Sequence, residues 1–182
     1  MNTLILYDSL GGNTRKVAQA IHEVVLERWG RADLAKASEA KDLDLFGYGL
    51  IFVGSPVIDW LPTKRLMDWV HAFLKGVNTA GGILPSSPVT PGRFGLSFCT
   101  YGGPHIGVRE AVPATAWLDS FLGHLGYLPL EPWHVPGALA HREDLNLAGR
   151  LGDIRNRPDD RDLDDVRNRT SGVLASLEAF RV

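Results

Sequence analysis

The chain has 182 residues, 45% hydrophobic and 22% charged, with a formal net charge of -2. That length and composition suit one domain, residues 1–182, with a real core. The balanced charge gives no electrostatic case for nucleic acid or an anionic membrane. The single cysteine, Cys99, excludes an internal disulfide and a cysteine-built metal cage. No window approaches 18 consecutive apolar residues, and the first residues lack the basic–apolar order of a secretion signal. A cytoplasmic location is therefore the expectation.

Residues 3–7 form a compact apolar run, suited to a strand buried on both faces. The turn that follows is rich in small polar residues. From Thr14 a helical period runs through Val17, Ala18, Ile21, Val24 and Val25, with Gly30 as its stop. Residues 31–35 read as a weaker strand, and Leu43, Leu45 and Phe46 as a short helix or turn. The clearest strand is Gly49 to Gly54. Helical spacing returns from Pro62 to Leu74, and residues 76–92, rich in Gly, Pro, Ser and Thr, read as a long loop. Phe94 to Phe98 is the next strand. A helix follows from about Val108 to Leu125, with Pro113 in its first turns and Gly126 ending it. Leu128 to Val135 supplies a last strand, which Pro129 and Pro132 direct to an edge. A polar stretch over 138–162 leads to a final amphipathic helix carrying Val166, Val173, Leu174, Leu177 and Phe180.

The first strand–turn–helix has the makings of an anion site. The first turn of a helix leaves N–H donors without backbone partners, and the helix dipole favours negative charge there. Ser9, Asn13 and Thr14 add hydroxyl and amide donors, while Gly11 and Gly12 let the backbone approach a ligand. Neither a Gly-x-Gly-x-x-Gly turn nor a Gly-Lys-Ser/Thr ending is present in this loop.

Ser9-Leu10-Gly11-Gly12-Asn13-Thr14 resembles the FMN phosphate loop of flavodoxins, commonly Ser/Thr-x-Thr-Gly-Asn/x-Thr after the first strand. It departs from that pattern at Gly11, where a hydroxyl residue is usual. The resemblance implies a three-layer α/β sandwich around a five-stranded parallel sheet of order 2-1-3-4-5. Its ligand would bind beyond the strand C-termini at the switch point. Two further loops, 54–62 and 99–107, would then meet the first. Ser55, Pro56 and Val57 look like the Gly-Ser-Pro-Val turn of flavodoxin-like FMN reductases. Thr100, Tyr101, Gly102 and Gly103 resemble the loop around the pyrimidine edge of the flavin.

Aromatic residues suit a flat ring with polar edges, so Trp60 and Tyr101 are candidates to stack beside the isoalloxazine. His105 is a candidate cation near its N1 edge, while Arg109 reads as an exposed first-turn residue. His71, His124 and His141 show no metal-like spacing.

The resemblance leaves the activity divided. A one-electron carrier needs a stabilised half-reduced flavin, aided in flavodoxins by a peptide flip at a glycine. No glycine lies between Pro56 and Lys64, and a positive φ at a residue with a side chain costs roughly 1–2 kcal/mol. The loops also hold few acids, chiefly Asp8 and Asp59. The alternative is an FMN-dependent oxidoreductase passing electrons from NAD(P)H to a quinone, flavin or other small acceptor. A third possibility is a cofactor-free interaction module on the same fold. Partners are accordingly a redox protein, or NAD(P)H with a small acceptor, and a homodimer remains open.

Overall fold

A computed structural model of the protein describes residues 1–40 and 43–181. Within them one parallel sheet holds β1 (Thr3–Tyr7), β2 (Asp33–Lys36), β3 (Leu50–Pro56), β4 (Phe94–Tyr101), β5 (Leu128–Pro129) and β6 (Trp133–Pro136). The order is β2-β1-β3-β4-β5, as the flavodoxin resemblance implies, with β6 also paired to β4. β1 and β3 lie centrally, and every residue of β1 is buried. This is why both read as unbroken apolar runs rather than alternating ones.

Successive β1 side chains serve opposite cores. Ile5 and Tyr7 face Val17, Ile21 and Val25 of α1 (Asn13–Trp29) and Val166 and Leu174 of α5 (Asp160–Leu177). Leu4 and Leu6 face Leu66 and Val70 of α2 (Lys64–Thr79) and Leu118 and Leu122 of α3 (Val112–His124). Each fully buried Leu or Ile in these layers contributes about 1.5–3 kcal/mol. The layers make the sheet rigid and fix where its strand ends point.

Gly30 ends α1 in the left-handed conformation, φ 75°, and donates to Leu26 O at 2.9 Å. Thr63 caps α2 by accepting from Leu66 N at 3.2 Å. Pro113 falls in the first turn of α3, preceded by a 3-10 turn at Gly107–Glu110. An Asp159–Asp162 capping box starts α5.

Several boundaries differ from the sequence reading, and β3 and β4 run on to Pro56 and Tyr101, so that Pro56, Thr100 and Tyr101 lie at strand ends. α2 continues through Gly76 to Thr79, since Gly is tolerated inside a helix at a cost of about 1 kcal/mol. The last strand is broken into β5 and β6 around Leu130, Glu131 and Pro132, because Pro132 has no N–H to pair. The polar stretch contains a short helix, α4 (Glu143–Ala148). Phe180 leaves the final helix for a 3-10 turn, where its ring packs on Phe94 at 5.1 Å. No helix among the described residues is long and apolar enough to cross a membrane.

Candidate functional site

The C-terminal ends of β1, β3 and β4 converge on a cleft of about 290 Å³. Its lining takes Ser9, Leu10, Gly11, Asn13 and Thr14 from the first loop, and Pro56 and Val57 from the second. The end of β4 and the loop after it supply Thr100, Tyr101 and Gly102. A second hollow of about 370 Å³ continues from it, sharing Val57, Ile58, Tyr101, Gly102 and Leu139 and adding Trp60, Gly103 and His105. Thirteen of the fifteen residues singled out from sequence thus border these two spaces. Gly12 faces the far side of the first loop, and Ser55 faces neither.

In the first loop, Gly12 takes φ 97°, which a side chain would oppose, and the helix begins directly after it. Ser9 Oγ accepts from Gly12 N at 3.2 Å and Arg15 N at 3.4 Å, so two donors already converge on one acceptor. At the floor, the buried hydroxyls of Thr14 and Thr100 lie 2.8 Å apart. One must donate to the other, and the acceptor keeps its own proton for a third group. Asn13 Nδ2 donates to Ala138 O at 2.9 Å and ties the helix start to the polar segment over 138–162, which the sequence suggests as a frame for a pocket over the ring.

Residues 137–140, at the start of that segment, form a fourth wall. Gly137 N donates to Tyr101 O at 2.9 Å and Ala138 N to Arg157 O at 2.9 Å. The buried Asn146 brackets Leu139, accepting from its N–H and donating to its carbonyl, each at 2.8 Å. Leu139 then lies over Gly102, where an added Cβ would stand 2.5 Å from Leu139 Cγ. Packing against Leu139 therefore accounts for the glycine at 102. The available signal was that β6 is also a parallel strand whose C-terminal end, Pro136-Gly137, opens at the same sheet edge.

The second loop is a two-residue turn. Ile58 and Leu61 exchange two hydrogen bonds of 2.9 Å, and Asp59 and Trp60 take φ 48° and 67°. Trp60 is 59% exposed, with its ring free for a ligand face. Ser55 Oγ instead accepts from Thr63 N at 2.9 Å and donates to Pro56 O at 2.9 Å, serving the start of α2.

Tyr101 is 8% exposed and packs edge-on against His134 at 6.5 Å, so its ring belongs to the core rather than to an open stacking face. Burial pushes its phenol pKa up. Burial likewise raises the Cys99 thiol, leaving it an inert apolar group. His105 and Arg109 are exposed. The backbone N–H groups of His105 and Ile106 both donate to Glu110 Oε1 at 2.8 Å, which occupies that carboxylate. Asp8 is fully buried and accepts from Thr63 Oγ1 at 2.6 Å and Arg65 Nη2 at 2.9 Å. Its charge is answered within the protein and does not face the cleft. Among the described residues no group of three or more His, Cys, Asp or Glu is placed to hold a metal ion.

No family model matches the sequence. No curated protein matches it either. Solved structures do. A flavodoxin from the domain Archaea superposes with TM-score 0.64 at 17% identity, covering 98% of this chain and 99% of its own. Oxidised flavodoxin 1 from Bacillus cereus gives 0.66 at 17%, covering 96% and 98%. A WrbA-like flavodoxin protein from Agrobacterium tumefaciens gives 0.62 at 16%, covering 99% of each chain. At these identities the likeness establishes the fold.

Proposed function

We propose that this chain is a cytoplasmic flavodoxin-like redox protein that binds FMN without a covalent bond and uses it for electron transfer or flavin-dependent reduction. The observation that carries the reading is the Thr14–Thr100 hydroxyl pair, buried beneath a glycine turn at a helix N-terminus. It joins the first and third loops at the point where a phosphate oxygen would meet a free hydroxyl proton and the first-turn amides. Gly11 is open to the cleft, since an added Cβ would meet nothing nearer than Ala140 Cβ at 3.9 Å. The donor set fits a phosphomonoester, and the flavodoxins among the structures of the same fold support a flavin as the ring above it.

A bound flavin would supply a centre that gains and loses electrons. The protein's part is to hold and bury it. Ser9, Asn13 and Thr14 would fix the phosphate end, Pro56 and Val57 would border the ring, and Trp60 would offer it an aromatic face. Leu10, Ile58, Trp60, Leu61 and Ile106, all at least 39% exposed, make the loop tips apolar. Such a rim suits a flat substrate or a partner's apolar patch.

The acid-poor mouth favours the reductase within this reading. Asp8 is consumed by Arg65 and Glu110 by two backbone amides, which leaves Asp59 on the tips of these loops. An acceptor such as a quinone, with NAD(P)H as donor, needs no acidic docking ring.

The visible spectrum of the purified protein and the mass of the chromophore released on denaturation test the reading directly. A yellow protein releasing FMN is expected, and Ser9→Ala with Thr14→Ala should raise the FMN Kd at least tenfold through two lost donors. Unchanged affinity in that double variant would remove the phosphate assignment.

A further inference from the structure

The fourth wall of the cleft runs along the first loop. At its base, a Cβ on Gly137 would stand 3.1 Å from Asn13 Nδ2 and 3.4 Å from Thr100 Cβ, so the wall abuts both the start of α1 and the hydroxyl floor. Farther out, Ala140 lies opposite Gly11, whose missing side chain leaves open space between loop and wall. Two residues on, Arg142 also borders the cleft. It carries the one formal charge among the described residues that line this space, and no carboxylate lines it.

The backbone of Arg142 is fixed while its side chain is not. Its carbonyl accepts from Asn146 N at 3.0 Å, and the Asn146 side chain brackets Leu139 in the same wall. The guanidinium pairs with Asp144 through two bonds of 3.3 Å. Both side chains are more than half exposed, 55% and 67%. An exposed pair of this kind is worth at most about 1 kcal/mol, so the guanidinium is free to leave it for a more highly charged anion.

The neutral donors of the first loop are already partly committed. Gly12 N and Arg15 N go to Ser9 Oγ, and Asn13 Nδ2 goes to Ala138 O. A phosphomonoester, about −1.5 to −2 in charge at pH 7, would meet no formal countercharge in the cleft except at Arg142. We infer that Arg142 is the residue that answers the phosphate charge in this cleft. Its guanidinium closes over the first loop into the space left by Gly11 and selects a phosphorylated ligand over its dephosphorylated form. A forked, permanently charged donor matches phosphate oxygens and takes the place of the hydroxyl usual at Gly11. The flavin as ligand rests on the function proposed above; the part played by Arg142 needs only a phosphomonoester in the cleft.

Calorimetric titration of FMN and of riboflavin into the flavin-free protein and its variants tests this. Arg142→Ala should raise the FMN Kd about tenfold, as expected for one charge-assisted bond, and leave the riboflavin Kd within about twofold. Arg142→Lys should fall between, since it keeps the charge and loses the fork. Added salt should weaken FMN binding more in the parent than in Arg142→Ala. Arg15 borders the hollow on the other side of the first loop, so Arg15→Ala should raise the FMN Kd less than about threefold. Equal losses for FMN and riboflavin, no loss for either, or an Arg15→Ala loss as large as that of Arg142→Ala would each overturn the assignment. If neither flavin binds the parent, the flavin reading falls, and phosphorus NMR of inorganic phosphate with the parent and Arg142→Ala decides the arginine alone. Line broadening that requires Arg142 upholds its assignment; broadening equal in both proteins, or absent from both, overturns it.

Discussion

Trp60 sits where a two-residue turn most favours glycine. Turns with φ positive at both central residues strongly prefer Asn-Gly or Asp-Gly, and here the pair is Asp59-Trp60. Asp tolerates the left-handed region by bonding its own backbone, whereas a bulky aromatic there is an outlier costing about 1–2 kcal/mol. Strain of this kind clusters at functional sites, and under the proposed flavin reading the exposed indole beside the cleft is its reason. Replacing Trp60 by Gly should relieve the strain, partly offset by the greater freedom of glycine in the unfolded chain. A net stabilisation of roughly 0.5–1 kcal/mol is expected in urea denaturation, together with weaker flavin binding. Trp60→Ala loses the ring without relieving the backbone and should bind flavin equally weakly with no gain in stability. A Gly variant less stable than the Ala variant would show that the turn carries no strain, since only the entropy cost of glycine would then remain. The glycine-free segment was legible in the sequence as an obstacle to positive φ. That two residues adopt it anyway was not legible, because the Ile58–Leu61 bridge that enforces it depends on the loop's closure.

At the level of elements, the site depends on β1, β3 and α2 meeting at fixed angles. Asp8 at the end of β1 receives the forked guanidinium of Arg65 and the capping hydroxyl of Thr63, both from the start of α2. Its own N–H donates to Gly54 O at 2.9 Å on β3. One buried residue, through its carboxylate to α2 and its N–H to β3, therefore locks three elements beside the first loop. Arg65→Ala would leave that carboxylate with a hydroxyl partner and whatever water enters from the half-exposed arginine side. A loss of about 2–3 kcal/mol is expected, below the roughly 3–5 of a fully buried pair because the arginine is half-exposed, and is measurable as a lower urea midpoint. Arg65→Lys should fall between, since it keeps the charge and loses the fork. The same comparison marks what sequence can and cannot show. Strands β1, β3 and β4 were legible because burial on both faces demands apolar runs, and α1 because its glycine stop and apolar period agree. The three loops followed from strand order. Asp8 read as a site acid because its partner lies 57 residues away, and no local pattern announces such a pair. The polar stretch over 138–162 read as a possible frame of the pocket, but which of its residues, 137–140, form the wall was not legible, for a similar reason. Its residues carry little chemistry, and they are held by Asn146 inside a stretch whose polarity reads as loop.

For the molecule as a whole, the pH dependence of stability tests how the β4–β6 edge is built. His134 on β6 packs against Tyr101, and its Nε2 lies 2.9 Å from Thr115 Oγ1 on α3. Burial lowers its pKa, with the charge of Glu131 acting weakly in the opposite direction. A histidine depressed in the folded state is protonated first in the unfolded chain as pH falls below its ordinary value near 6.5. The unfolded state then binds more protons, so stability declines from that point down to the depressed folded value. Asp119, one turn along α3 from Thr115, has the opposite sign. Burial raises its carboxyl pKa despite the 2.6 Å hydrogen bond from Ser97, so the folded state takes up its proton first and gains stability as pH falls toward the ordinary carboxylate range. The exposed carboxylates held low by arginine, Asp153 at about 2 beside Arg155, lose their contribution only in stronger acid. Urea midpoints should therefore fall between pH 7.5 and 5.5. His134→Gln, which keeps a hydrogen-bonding group for Thr115 and cannot take up a proton, should flatten that fall. If it declines as steeply as the parent, the histidine does not set the acid-side stability, and the packing of β6 onto α3 is not what protonation disturbs.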